Sequence, residues 1–396
     1  MEYNPFLPDV RENPYPYYAY LREHAPVYQV PGVGFWALSR YDDVFSALRN
    51  PQVFSATILI TALIGEFTPF APEAPAMVGQ DPPDHTRLRK LANRAFTPRR
   101  IASLEAHLRD VVNKLLDPIA EKGTCDLVKD LAAPLPTIAV AELLGVPPER
   151  RDDFRRWSDD VVHSMNVGDI TEEDKVQIRR SIADFRAYFK EAIEYCRQRP
   201  GDNLLSDLVR AEEEQQRLTS EEILSLAILI IAAGNETTTN LISNTVTALF
   251  RHPDILATVR ANPALVPGLL DEMLRYDSPV QVWFRLTMQE VEVAGTTLPP
   301  GAVVTLLLGS ANHDERKFAD PGRLDIYRNP EGHVAFGYAT HYCLGAPLAR
   351  LEAKVALEAL LTRFPRWARA DEPPTRMFNP FLRGFKSLPL VMEGRA

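Results

Sequence analysis

The stretch from Ser220 to Phe250 constrains the fold more than any other part of this chain. Its apolar residues recur with helical period over about 31 residues, a rod on the order of 45 Å at 1.5 Å per residue. Ser220, Glu221 and Glu222 give it an acidic start that suits a helix N-terminus. Helical periodicity dominates from Asp84 to Pro267, with breaks near Pro134, Pro147 and Pro200. Before it, Tyr15–His24 and Tyr41–Arg49 read as short helices, and Val27–Val30 and Gly34–Leu38 as strands. Strand-like alternation returns around Val291–Val304. The expected class is mainly α with a smaller β-containing portion. Length alone suggests two or three domains. The 33 prolines are dispersed and mark no linker, so the reading here is a single domain over 1–396.

Two places in this pattern carry chemistry. The centre of the long helix reads Ala232-Ala233-Gly234-Asn235-Glu236-Thr237-Thr238. Glycine there costs roughly 1 kcal/mol, and an acid followed by threonines is odd inside an apolar helix. A polar patch satisfied by back-bonding threonines accounts for it as well as a catalytic role does. The second place is Cys343, in Phe336-Gly337-Tyr338-Ala339-Thr340-His341-Tyr342-Cys343-Leu344-Gly345, directly before a helix expected over Pro347–Phe364. A helix N-terminus and loop N–H groups favour thiolate over thiol. A thiolate with one open face suits ligation of haem iron; the alternative is a buried structural cysteine.

Composition excludes several classes. A net charge of −9 with no Lys/Arg block argues against nucleic-acid binding. Three cysteines, Cys125, Cys196 and Cys343, are too scattered for a disulfide framework or a zinc finger, which points to a reducing, cytoplasmic setting. Met1–Val10 holds Glu2, Pro5, Pro8 and Asp9, not an apolar anchor. The most apolar run, Leu226–Gly234, is shorter than the roughly 20 residues a bilayer span needs. Gly32-Val33-Gly34 resembles a dinucleotide fingerprint but precedes strand-like residues, so it is rejected.

The Cys343 loop resembles the haem-ligating signature of the cytochromes P-450, Phe-Gly-x-Gly-x-His-x-Cys-x-Gly, departing only at Ala339, where the family prefers Gly. If that position needs a positive φ, its Cβ adds strain of roughly 1–2 kcal/mol. The resemblance covers nearly the whole chain and implies the family's fold, with the long central helix over haem b and Cys343 as the iron ligand. It implies Phe336 against the haem plane, and a helix that opens locally at Gly234 to admit oxygen and water. Thr237 and Glu236 match the family's oxygen-activation pair, hydroxyl and acid being the types that deliver protons to bound dioxygen. His85, Arg89, Arg285 and His341 match the cations that hold the haem propionates. Glu272 and Arg275 resemble the family's Glu-x-x-Arg pair, with Arg328 as its partner.

The same resemblance implies a monooxygenase that inserts one atom of O2 into a hydrophobic small molecule by hydroxylation or epoxidation. Thr57–Met77, Val280–Phe284 and Phe378–Leu382 are expected to line an apolar pocket. No Arg or Lys lies between Thr57 and Met77 to anchor a carboxylate, so a terpenoid, steroid, macrolide or aromatic is preferred to a free fatty acid. With no flavin or iron–sulfur module in the chain, NAD(P)H electrons must arrive through a ferredoxin or flavodoxin and its reductase. Arg87, Lys90, Arg94, Arg99 and Arg100 form a candidate landing site for an acidic ferredoxin. Two rival readings remain: a peroxide-driven haem oxidant, and a non-catalytic haem-binding sensor or carrier. The retained Glu236-Thr237 pair argues against the first, because peroxide arrives already protonated.

Overall fold

In the computed structural model, the described residues are 1–58, 70, 73–164, 170–211 and 218–393. They pack as two compact units: Met1–Ser55, Leu104–Leu135 and Thr237–Ala396 form one, Ala56–Ser103 and Pro136–Glu236 the other.

The first unit holds the β structure. Its five-stranded sheet has the order Val27–Gln29, Trp36–Leu38, Val303–Leu307, Val282–Thr287, Phe54–Ser55. Trp36–Leu38 and Val303–Leu307 run parallel; the other neighbours are antiparallel. Leu38, Val44, Leu48, Phe54, Val304 and Leu306 form one buried apolar cluster that joins this sheet to the helix Tyr41–Arg49. The glycines of the rejected fingerprint lie in the hairpin before Trp36, with φ of 72° at Gly32 and 82° at Gly34, the left-handed region that glycine adopts without penalty. A three-stranded sheet joins Thr124–Asp126, Pro389–Glu393 and Arg366–Arg369.

The helices Tyr15–His24 and Tyr41–Arg49 fall where periodicity places them. The expected Pro347–Phe364 helix runs Ala346–Arg363. Among the strands that were not expected, two have a clear physical reason. Val282–Thr287 precedes the alternating region and is largely buried on both faces, so its sequence shows no period of two. Thr124–Asp126 interrupts the helical stretch; it forms because Pro389–Val391 pairs with it from more than 260 residues away, and nothing local signals that.

The second unit is helical. Phe154, Trp157, Phe185 and Phe189 fill its core, with Phe185 and Phe189 stacked at 4.5 Å. Thr171 and Asp174 cap the 27-residue helix Glu172–Gln198 reciprocally, satisfying N-terminal N–H groups that the helix cannot. The central helix runs Ser220–Arg251, 32 residues, and the boundary between the units falls within it, between Glu236 and Thr237.

Candidate active site

In the first unit, Cys343 sits on a loop built by backbone geometry. The Cys343 N–H donates to Phe336 O at 2.9 Å and the Gly337 N–H to Val334 O at 2.9 Å. Gly337 has φ of 68° and Ala339 φ of 51°, so the loop does demand a left-handed backbone where alanine stands. A single helical turn over Ala339–His341 then feeds Cys343, and the helix starts at Ala346. Cys343 is the one cysteine of the three that is not buried. Phe336 carries the Arg350 guanidinium over its ring at 4.6 Å, and Arg350 in turn donates to Asp271 at 2.8 Å. Arg350 is a neighbour that motif reading did not supply.

Behind the loop lies the expected ion cluster. Arg275 and Glu272 are fully buried and paired through two hydrogen bonds, Nε to Oε2 at 2.9 Å and Nη2 to Oε1 at 2.7 Å. Arg328 Nε reaches Glu272 Oε1 at 3.1 Å, as does the Asp325 N–H. Arg275 also donates to the carbonyls of Asn312, Pro321 and Arg323. Asn312 passes the order on: its Oδ1 accepts the Val334 N–H at 2.7 Å, two residues before Phe336. A buried acid bonded to two cations and a backbone N–H thus fixes the carbonyls that shape the entry to the Cys343 loop.

Arg285 is buried on the strand Val282–Thr287, where its Nη1 donates to Phe284 O at 2.7 Å. His341 is half-buried in the turn before Cys343. Thr237 is half-buried on the central helix, followed by buried Thr238 and by Thr239, whose hydroxyl donates to Ala132 O at 3.0 Å. Two of the three segments expected to line a pocket meet within this unit: Val280 bridges Leu382, and the Phe284 and Phe381 rings pack edge-on at 4.8 Å. Of Thr57–Met77, residues 59–69 and 71–72 lie outside the described residues.

In the second unit, His85 is buried in the first turn of the helix Asp84–Ala95, and half-buried Arg89 donates to Asn93 Oδ1 at 3.1 Å. The central helix runs unbroken through Gly234, so the local opening expected there is not the conformation of this structure. A Cβ at Gly234 would lie 3.1 Å from Val140 Cγ2, which gives the glycine a packing reason as well. Asn235 is buried and bonded to Ser158. Burial lifts the Glu236 carboxyl to about 7, and the Asp159 carboxylate pushes the same way. An acid so placed exchanges protons at neutral pH.

The basic cluster is weaker than its sequence suggests. Arg87 is paired with Glu222, and Arg100 bridges Asp202 at 2.9 Å and Asp207. The cluster's charge is therefore partly cancelled by acids distant in sequence; Lys90 and Arg99 remain exposed.

These residues fit an iron porphyrin. A bare transition-metal site takes three or four protein ligands, and among the described residues no group of three His, Cys, Asp or Glu could supply them. Iron held in a macrocycle needs a single axial ligand, and one accessible sulfur suits it. In the same unit as Cys343, buried Arg285 is the donor type that a carboxylate side arm requires. A match to the cytochrome P450 family spans residues 9–390. The chain belongs to the cytochrome P450 family. Cytochrome P450 107B1 of Saccharopolyspora erythraea is 41% identical over 387 residues, covering 94% of this chain and 93% of the relative. The cytochrome P450 monooxygenase PikC of Streptomyces venezuelae is 40% identical, covering 96% and 92%. The solved structure of the P450 CYP109Q5 from Chondromyces apiculatus superposes with a TM-score of 0.93 at 41% identity, covering 100% of this chain and 99% of that one. This P450 is accordingly a haem-thiolate monooxygenase that draws NAD(P)H electrons through redox partners.

Proposed function

We propose that this P450 hydroxylates or epoxidises a bulky hydrophobic small molecule of the terpenoid, steroid, macrolide or aromatic class. It would do so in the cytoplasm, with electrons from a ferredoxin or flavodoxin and its reductase. The observation that carries the reading is the pairing of Glu236, an acid poised to titrate near neutrality, with the Thr237 hydroxyl at the next position of the central helix. A sensor or carrier has no use for such a pair, and peroxide-driven oxidation needs it less. Relatives support the substrate class: proteins 39% and 36% identical to this chain are named vitamin D(3) 25-hydroxylase and steroid C26-monooxygenase.

Haem, when bound, supplies the oxygen-activating iron; the chain supplies the environment. Cys343 provides the thiolate that donates electron density to that iron. Arg285, His341, His85 and Arg89 hold the propionates through charge-assisted hydrogen bonds, and Phe336 packs beside the Cys343 loop. Glu236 takes a proton from solvent and passes it on, and the Thr237 hydroxyl holds it where oxygen is reduced. Gly234 keeps that part of the helix free of side-chain bulk. Half-buried Val280 and Leu382, backed by the buried Phe284 and Phe381 rings, would present apolar surface that binds substrate and excludes water.

The test is substrate-dependent NADPH or NADH consumption with a surrogate ferredoxin and reductase, using compounds chosen by binding-induced shifts of the haem spectrum. Wild type is expected to couple reducing equivalents to product, and Thr237→Ala to divert them to peroxide. Product formed from peroxide alone, with no NAD(P)H-dependent turnover, would replace this reading with the peroxide-driven one. Binding without either activity would make the protein a carrier.

A further inference from the structure

The stretch that carries Phe381 and Leu382 is held from several sides within the first unit. Gln281 N–H donates to Phe381 O, and Arg383 N–H to Pro279 O, both at 2.8 Å. Asn379 Oδ1 accepts the N–H groups of Phe381 and Leu382 at 2.8 and 3.0 Å. From the central helix, Asn244 Nδ2 donates to Arg383 O at 2.9 Å. Gly384 lies so close to Asn240 that a Cβ there would overlap its Oδ1. The remaining hold is ionic. Arg383 Nε donates to Asp277 Oδ1 at 2.7 Å, both side chains being buried. Arg383 Nη1 donates to Arg11 O and Glu12 O at 3.0 Å, and the Tyr15 hydroxyl to the same Asp277 oxygen at 2.7 Å. Burial alone would raise the Asp277 carboxyl; Arg383, Arg376 and the Tyr15 hydroxyl outweigh it and hold the group below its ordinary value.

A buried ion pair contributes little net stability over an apolar pair of similar volume, so stability alone does not account for this one. What the pair supplies is a fixed place. A planar guanidinium bonded at once to a carboxylate and two carbonyls has a single position. Arg383 adjoins half-buried Leu382, so that position is passed directly to the apolar surface. We propose that the Asp277–Arg383 pair, with Tyr15, sets the place of the Phe381–Leu382 wall and so determines which bulky substrates fit and how they lie. The inference rests on the substrate pocket proposed above. Asp277, Arg383 and Tyr15 are positioning residues: they act through Leu382 and Val280, the side chains that meet substrate. The chain's N-terminal segment thereby takes part in specificity, since Arg11, Glu12 and Tyr15 supply three of the bonds.

The test uses the haem-loaded protein with two probes, testosterone as a bulky neutral compound and imidazole as a small iron ligand. Both are titrated by the shift they cause in the haem spectrum. Arg383→Lys keeps the charge but cannot bond the carboxylate and both carbonyls together; Tyr15→Phe removes a single hydrogen bond. Both variants are expected to bind testosterone severalfold more weakly, Arg383→Lys the more so, with imidazole binding unchanged. Amide hydrogen exchange over residues 377–388 should rise in both, and the ratio of oxidised steroid products should change. Tyr15→Phe keeps the test open if Arg383→Lys fails to fold. Unaltered exchange in the folded variants would overturn the proposal. So would raised exchange with unchanged testosterone affinity and product ratio, because the pair would then be structural only. A wild type that gives no testosterone shift would remove the steroid pocket, and this inference with it. Exchange and binding are read without turnover, so failure of the monooxygenase reading alone would show as a wild type that binds testosterone and forms no product.

Discussion

At the scale of the residue, Ala339 shows a side chain at odds with its backbone. Its φ of 51° is one that an L residue adopts at a cost, and the position is exposed, so no packing offsets it. Ala339→Gly should stabilise the haem-loaded protein by about 1 kcal/mol, the relieved strain less the extra freedom glycine gives the unfolded chain. Urea unfolding reads this; a loss of stability would show that the Cβ is needed there. Glu236 makes a pH prediction. Its folded value, about 7, lies above the ordinary carboxyl value. The folded chain therefore keeps this proton longer than the unfolded chain. The group's contribution to stability is largest below the ordinary carboxyl range and falls as pH rises through 7. Coupled turnover that passes through Glu236 should likewise change near pH 7, and Glu236→Gln should flatten that change. A profile identical in the variant would remove Glu236 from the relay. Cys343, Glu236 and Thr237 could be picked out in the sequence because each is an unusual type in its setting. Asp277, Asn312 and Arg350 could not, because an acid, an amide and an arginine look ordinary until burial and partners are known.

At the scale of the element, the long helix was legible to within one residue at its C-terminal end, since its apolar period runs uninterrupted. The strand Val282–Thr287 was not: burial on both faces erases alternation, and the buried Arg285 reads like a surface residue. The turn at Ala339–His341 and the start of the next helix depend on the ion cluster behind them. Glu272→Gln leaves Arg275 and Arg328 without their shared carboxylate, and should cost roughly 3–5 kcal/mol with haem loss on gel filtration. Retention of haem at full stability would show that the carbonyl bonds of Arg275 suffice alone. The basic cluster marks the limit of reading charge from sequence. Its Arg87 and Arg100 are paired with acids more than 100 residues away, so net charge along a segment overstated the field it presents.

At the scale of the whole molecule, the two units are woven from separate stretches of chain, three in one and two in the other. Neither can be cut out as one continuous piece. We propose on this ground that residues 1–396 behave as a single domain, with one cooperative calorimetric transition in the haem-loaded protein; two separated transitions would contradict it. Among the described residues no helix is long and apolar enough to cross a membrane. The sheet order was beyond the sequence, because Trp36–Leu38 finds its parallel partner Val303–Leu307 across most of the chain. The family, by contrast, was legible from ten residues around Cys343, and everything proposed for the site hangs on that sulfur. The most direct measurement is the absorption spectrum of the reduced carbon monoxide complex. Wild type, Cys125→Ala and Cys196→Ala should all give the red-shifted band of thiolate-ligated haem, and Cys343→Ala should lose it. A Cys343→Ala protein that binds haem and keeps that band would contradict the assignment of the iron ligand, and with it the site built around it.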